Sequence, residues 1–106
     1  MREVDLAAFA AAHRDGAVVI DVREPFEYVA GHVPGATLVP MGRLPSRVAD
    51  LPRDVPVYVI CASGNRSLAA AHFLARAGID AWSVTGGTAD WARAGYPIVR
   101  GARAAA

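Results

Sequence analysis

Val57-Tyr58-Val59-Ile60-Cys61-Ala62-Ser63-Gly64-Asn65-Arg66-Ser67 reads as a strand, a short loop and the start of a helix. Val57 to Ile60 follows Pro56 and is apolar on both faces, the pattern of a buried parallel strand. Gly64 and Asn65 tolerate left-handed dihedrals, so the loop from Cys61 to Asn65 can turn tightly. Arg66 to Ala77 is rich in good helix formers, and Gly78 stops it. A tight loop before a helix turns successive N–H groups inward, and the positive end of the helix adds to them. Both favour an anion at the loop centre. Cys61 opens that loop, so its sulfur is expected in the cradle as a stabilised thiolate with a depressed pKa. Arg66 brings a fixed charge and a planar donor fork suited to oxyanions. A lone cysteine is commonly a structural, buried one. The strand-end position, the glycine loop and Arg66 favour a reactive thiol instead.

The pattern repeats on either side. Val4 can begin an edge strand, and Asp5 can cap a helix through Leu6, Phe9, Ala10 and His13. Ala17 to Asp21 is a second strand apolar on both faces. Glu24-Pro25 opens a short helix that Gly31 ends. Ala36 to Val39 reads as a strand, Leu44 to Leu51 as a helix, Ala81 to Val84 as a strand and Thr88 to Arg93 as a last helix. Residues 100–106 read as a frayed tail. Strands alternating with helices predict an α/β fold, a mainly parallel sheet covered by helices on both faces. Ligands of such sheets sit beyond the carboxyl ends of the strands, where Cys61 falls.

Composition narrows the chemistry. The 106 residues suit one domain, with a core from about residue 4 to residue 98. Eleven basic and ten acidic residues leave a net charge of +1, without the basic footprint of a nucleic-acid binder. Every basic side chain other than histidine is arginine, which excludes Schiff-base chemistry and a P-loop lysine. One cysteine excludes an internal disulfide and a multi-cysteine zinc site. No pair of histidines has metal-ligand spacing, so neither a metal nor another cofactor is expected. Without an apolar leader or a bilayer-spanning run, a cytoplasmic protein free of membrane is the default. A monomer is the default assembly.

Cys61 to Ser67 resembles the active-site loop of single-domain rhodaneses. Asp21-Val22-Arg23-Glu24, Glu27-Tyr28 and Gly31-His32-Val33-Pro34-Gly35-Ala36 resemble the N-terminal signature of that family. Gly86-Gly87, Trp91 and Gly95-Tyr96-Pro97 resemble its C-terminal one. The resemblance implies a three-layer sandwich around a five-stranded sheet, and sulfur transfer through a persulfide on Cys61. It implies an anion cradle made by Ala62, Ser63, Gly64, Asn65, Arg66 and Ser67. Asp21 and Arg23 would brace the loop or form a structural ion pair, and Trp91 would pack in the core and could wall the pocket. The six-residue loop Cys61 to Arg66 has the length of the sulfurtransferases, one residue shorter than in the related phosphatases. The implied donor is thiosulfate or a protein persulfide, and the acceptor cyanide, a thiol or a protein. With Ala62 where some relatives carry a basic residue, Arg66 is the candidate for the donor's sulfonate. Glu27 reads as an architectural helix-face carboxylate, His32 as a turn residue, and His13 and His72 as solvated. A binding module of the same fold with little turnover is the alternative.

Overall fold

The structure, a computed structural model, describes residues 2–105. Strands β1 (Arg2–Val4), β2 (Val18–Asp21), β3 (Thr37–Leu38), β4 (Val57–Ile60) and β5 (Ala81–Val84) form one sheet in the order β1-β5-β4-β2-β3, every neighbouring pair parallel. Helices α1 (Leu6–Arg14), α2 (Pro25–Ala30), α3 (Leu44–Arg47), α4 (Asn65–Arg76) and α5 (Gly87–Arg93) connect them. Asp5 caps α1, its carboxylate accepting from the Ala8 amide at 2.8 Å. Glu24 and Glu27 form a reciprocal capping box at the start of α2.

Successive side chains of a strand point to opposite faces, and the two faces hold separate cores. Ile20, Val22, Val57 and Val59 pack with Ala70, Ala71 and Leu74 of α4 and Leu44 of α3. Val19, Ile60 and Val84 pack on the other face with Phe9 and Ala10 of α1, Tyr28 of α2 and Trp91 of α5. The expected three-layer α/β sandwich with helices on both faces is therefore present. Ser67, Ala70, Ala71 and Leu74 recur at helical spacing and make the buried stripe of α4. Register places Asp21 beside Ile60, so the carboxyl ends of β2 and β4 lie level.

Three expectations need correction. The helix expected over Leu44 to Leu51 is broken: α3 spans one turn and is flanked by 3-10 turns at Met41–Arg43 and Val48–Asp50. Only Leu44 of these residues is buried, too little packing to offset the cost of nucleating a longer helix. The segment after Ile98 is docked rather than frayed. His32 and Val99 exchange backbone hydrogen bonds of 2.9 Å, the Gly101 amide donates to the Val29 carbonyl, and that of Gly35 donates to the Ala104 carbonyl at 2.8 Å. His32 is wholly buried and stacks on Tyr28; its ring nitrogens meet the carbonyls of Tyr28 and Arg103, each at 2.7 Å. These bonds are made by backbone, so a small-residue composition does not betray them. Ala106 lies outside the described residues. His13 is not solvated either: its Nε2 lies 2.7 Å from the Pro34 carbonyl and its ring meets Trp91 edge-on. His72 is exposed, as expected. Among the described residues no helix is long and apolar enough to cross a membrane.

Candidate active site

Cys61 follows directly from β4 and is 1% exposed. The Gly64 amide donates to its sulfur at 3.1 Å, and Gly64 adopts the left-handed conformation (φ +113°) that folds the loop back over it. The Ser67 hydroxyl stands 3.5 Å from the sulfur, 2.8 Å from the Ser83 hydroxyl and 3.0 Å from the Gly64 carbonyl. A hydroxyl has one proton and two lone pairs. Ser67 thus accepts from the thiol and donates to Gly64; when the thiol ionises it can turn its proton to the sulfur while Ser83 donates to it. Burial opposes the thiolate. The Ser67 hydroxyl and the amides of Ser67, Gly64 and Ser63 outweigh it, and the Cys61 pKa falls below the ordinary thiol value.

The loop is held from outside by α5. The Thr88 amide donates to the Cys61 carbonyl at 2.8 Å and the Ala89 amide to the Ala62 carbonyl at 3.0 Å. Gly87 makes this approach possible. A Cβ there would lie 2.5 Å from the Cys61 carbonyl oxygen.

Arg66 does not stand free. Its two terminal nitrogens grip the Glu27 carboxylate at 2.7 and 2.8 Å, joining α4 to α2 across the loop. The Arg66 guanidinium holds the Glu27 carboxyl down at about 2, and Glu27 raises the Arg66 pKa in turn. A guanidinium carries five donors, so the N–H groups turned away from Glu27 remain available to a ligand. Asp21 and Arg23 form a buried pair at 2.9 Å, and Arg23 also donates to the Gly31 carbonyl. That pair ties the end of β2 to the end of α2, a bracing position.

A cavity of about 340 Å³ opens beside the loop, lined by Ala62, Thr88, Ala89, Glu27 and Arg23 among others. Trp91 is not among the residues lining it. It packs against Phe9 and Tyr96, and its indole donates to the Pro97 carbonyl at 2.7 Å. Of the cradle residues, the structure brings Gly64 and Ser67 to the sulfur by hydrogen bonds, while the side chains of Ser63 and Asn65 are exposed. Sequence reasoning missed Glu27 as the partner of Arg66 and gave no part to Ser83, Gly87 or Thr88. The adjacent Gly86-Gly87 was the one available signal, since paired glycines permit close backbone approach.

Residues 5–94 match the family model of the rhodanese-like domain. The chain is 36% identical over 89 residues to a protein named Sulfurtransferase from Allochromatium vinosum, covering 83% of each. It is 38% identical over 88 residues to one named Thiosulfate sulfurtransferase GlpE from Pseudomonas entomophila, covering 82% of this chain and 80% of the relative. A crystal structure of a rhodanese-related protein from Thermoplasma volcanium superposes with a TM-score of 0.87 at 37% identity, covering 93% of this chain and 98% of that one.

Proposed function

Because this chain belongs to the rhodanese-like domain family, we propose that it is a sulfurtransferase whose moving sulfur is carried as a persulfide on Cys61. The donor is thiosulfate or a protein persulfide, and the acceptor is cyanide, a thiol or a partner protein. In the first half-reaction the Cys61 thiolate attacks the outer sulfur of thiosulfate. A new S–S bond forms, the old one breaks, and its electron pair leaves with sulfite. In the second half-reaction the acceptor attacks the outer sulfur and Cys61 departs as the thiolate. The observation that carries this is the amide of Gly64 aimed at the Cys61 sulfur, with Ser67 beside it. These donors stabilise the anion that attacks first and leaves last, so no general base is needed. Ala62, Ser63 and Asn65 complete the ring of loop backbone around it. A ring this short suits one sulfur atom better than a whole phosphate, and phosphatase activity is expected to be negligible. A lone, unpaired cysteine fits a reducing compartment such as the cytoplasm.

Intact mass tests the proposal. Incubation with thiosulfate should add about 32 Da, and cyanide or a thiol should remove it. A wild-type protein that gains no sulfur from thiosulfate or from a persulfidated protein would sink sulfur transfer and leave the docking module as the better account.

Arg66 and Glu27 make a second test, because their charges act on Cys61 with opposite sign. In Arg66→Ala a nearby cation is lost, so the pH midpoint for alkylation of Cys61 should rise. In Glu27→Gln the cation stays without its partner and the midpoint should fall. With its sulfonate contact gone, Arg66→Ala should also lower kcat/KM for thiosulfate by about tenfold, and lysine should restore only part. Midpoints that move together, or not at all, would make the pair a mere fastener between α2 and α4.

A further inference from the structure

β5 carries a serine where a buried strand calls for an apolar residue. Ser83 stands two residues from Ala81, on the side of the sheet that α4 covers, and is 1% exposed. A hydroxyl shut into such a face is unfavourable unless it is paired. Its Oγ lies 2.8 Å from the Ser67 Oγ, its side-chain hydrogen bond among the described residues. The direction of that bond follows from counting protons. Ser67 has one, and the Gly64 carbonyl at 3.0 Å can only accept it. Ser67 therefore donates to Gly64 and accepts from both the Cys61 thiol and Ser83. The Gly64 carbonyl has a second donor, the Leu68 amide at 3.1 Å. Ser67 can thus turn its proton away without leaving that carbonyl unpaired.

We infer that Ser83 is a positioning residue for sulfur transfer: by donating to Ser67 it holds that oxygen in place and frees the Ser67 proton to swing from the Gly64 carbonyl to the Cys61 sulfur. The inference rests on the reading of Cys61 as the sulfur carrier. A hydroxyl that accepts one hydrogen bond donates a stronger one, so Ser83 strengthens the contact it does not itself make. It acts whenever the Cys61 sulfur is an anion, before attack on the donor and again on departure. In unloading, the acceptor thiolate bonds to the outer sulfur of the persulfide, the S–S bond breaks, and its electron pair passes to the Cys61 sulfur. The Ser67 proton turns to meet that charge, and no proton changes owner. A better stabilised thiolate leaves faster, yet attacks less readily once it is fully ionised. At high pH the two half-reactions therefore respond to Ser83 with opposite sign.

The test compares wild type, Ser83→Ala, Ser67→Ala and the double variant by the pH midpoint for alkylation of Cys61 with iodoacetamide. The charged groups around the loop, Arg66 with Glu27 and the Asp21–Arg23 pair, are the same in all four, and the core packed with Cys61 is otherwise apolar. Ser83→Ala should raise the midpoint by about 0.3–0.7 pH unit, an ionisation about two- to fivefold weaker. In the Ser67→Ala background the same change should move it no further, since the hydroxyl that relays the effect is gone. Above both midpoints, single-turnover loading by thiosulfate should be as fast in Ser83→Ala as in wild type, or faster. Unloading by 2-mercaptoethanol should slow by up to about twofold. A midpoint that stays, that falls, or that moves equally with and without Ser67 would overturn the positioning role, leaving Ser83 a fastener between β5 and α4. Unloading no slower than in wild type would overturn its part in the departure of Cys61. A protein that takes up no sulfur would overturn the sulfur-carrier reading, while the alkylation midpoints would still decide whether Ser83 acts through Ser67.

Discussion

Cys61→Ser should take up no sulfur from thiosulfate and should keep its fold. Serine is nearly isosteric, and its hydroxyl can accept from the Gly64 amide much as the sulfur does. The difference lies in ionisation. The loop has only to lower a thiol whose ordinary value already lies within reach of neutrality, whereas an alcohol starts far above any thiol. Amide donors and one partly neutralised arginine do not bridge that interval, so no alkoxide forms to attack the donor. Intact mass after thiosulfate should be unchanged, and the thermal midpoint should stay within about 4 °C of wild type. An adduct of about 32 Da on this variant would place the chemistry elsewhere in the chain.

Gly87→Ala should damage stability and reactivity together. Gly87 has φ +58°, and a non-glycine residue held in the left-handed region costs about 1–2 kcal/mol. The added methyl would also meet the Cys61 carbonyl oxygen at 2.5 Å and the Ala62 carbonyl at 2.7 Å. Those are backbone atoms, which cannot rotate aside as a side chain does. Overpacking of this kind costs about 1–3 kcal/mol, so the expected loss is about 2–5 kcal/mol. Against a typical domain stability of about 5–15 kcal/mol that is severe. The surviving folded protein should have its loop pushed from the α5 amides, and the pH midpoint for Cys61 alkylation should rise. Gly16→Ala is the control: φ is +82° there too, but nothing lies within 4 Å of the new methyl. Urea unfolding should show the smaller loss for Gly16, with an unmoved alkylation midpoint. Equal losses at the two sites would mean that the approach of α5 to the loop is not tight.

Much of the frame was readable from local pattern. β2 and β4 show apolar residues on both faces, the pattern of a strand covered on both sides, and their alternation with helices makes the sheet parallel. The loop at Cys61 was readable because strand, glycine and helix start adjoin within eleven residues. What escaped was contact between distant segments. Glu27 gives the same local cue whether it merely closes the α2 capping box or also grips Arg66, and both uses coexist. Which arginine it meets depends on how α2 and α4 settle over the sheet. The docking of Arg103 and Ala104 onto His32 and Gly35 runs through carbonyl groups, which every residue has. His13 reads as solvated because the contacts that half-bury it include Trp91 and Pro34, far along the chain.

The sheet order has a consequence for timing. β1 pairs with β5, so Arg2 waits for Trp82 and Val4 for Val84. The amides that fix the Cys61 loop belong to Thr88 and Ala89, later still. During synthesis on the ribosome, Arg2 to Val4 remain unpaired until β5 has emerged. Cys61, the nucleophile proposed above, is translated well before its setting exists, and until then it is an ordinary thiol. The groups that lower its pKa come together only when the fold is complete, so a stalled or truncated nascent chain is expected to carry the cysteine without the proposed chemistry.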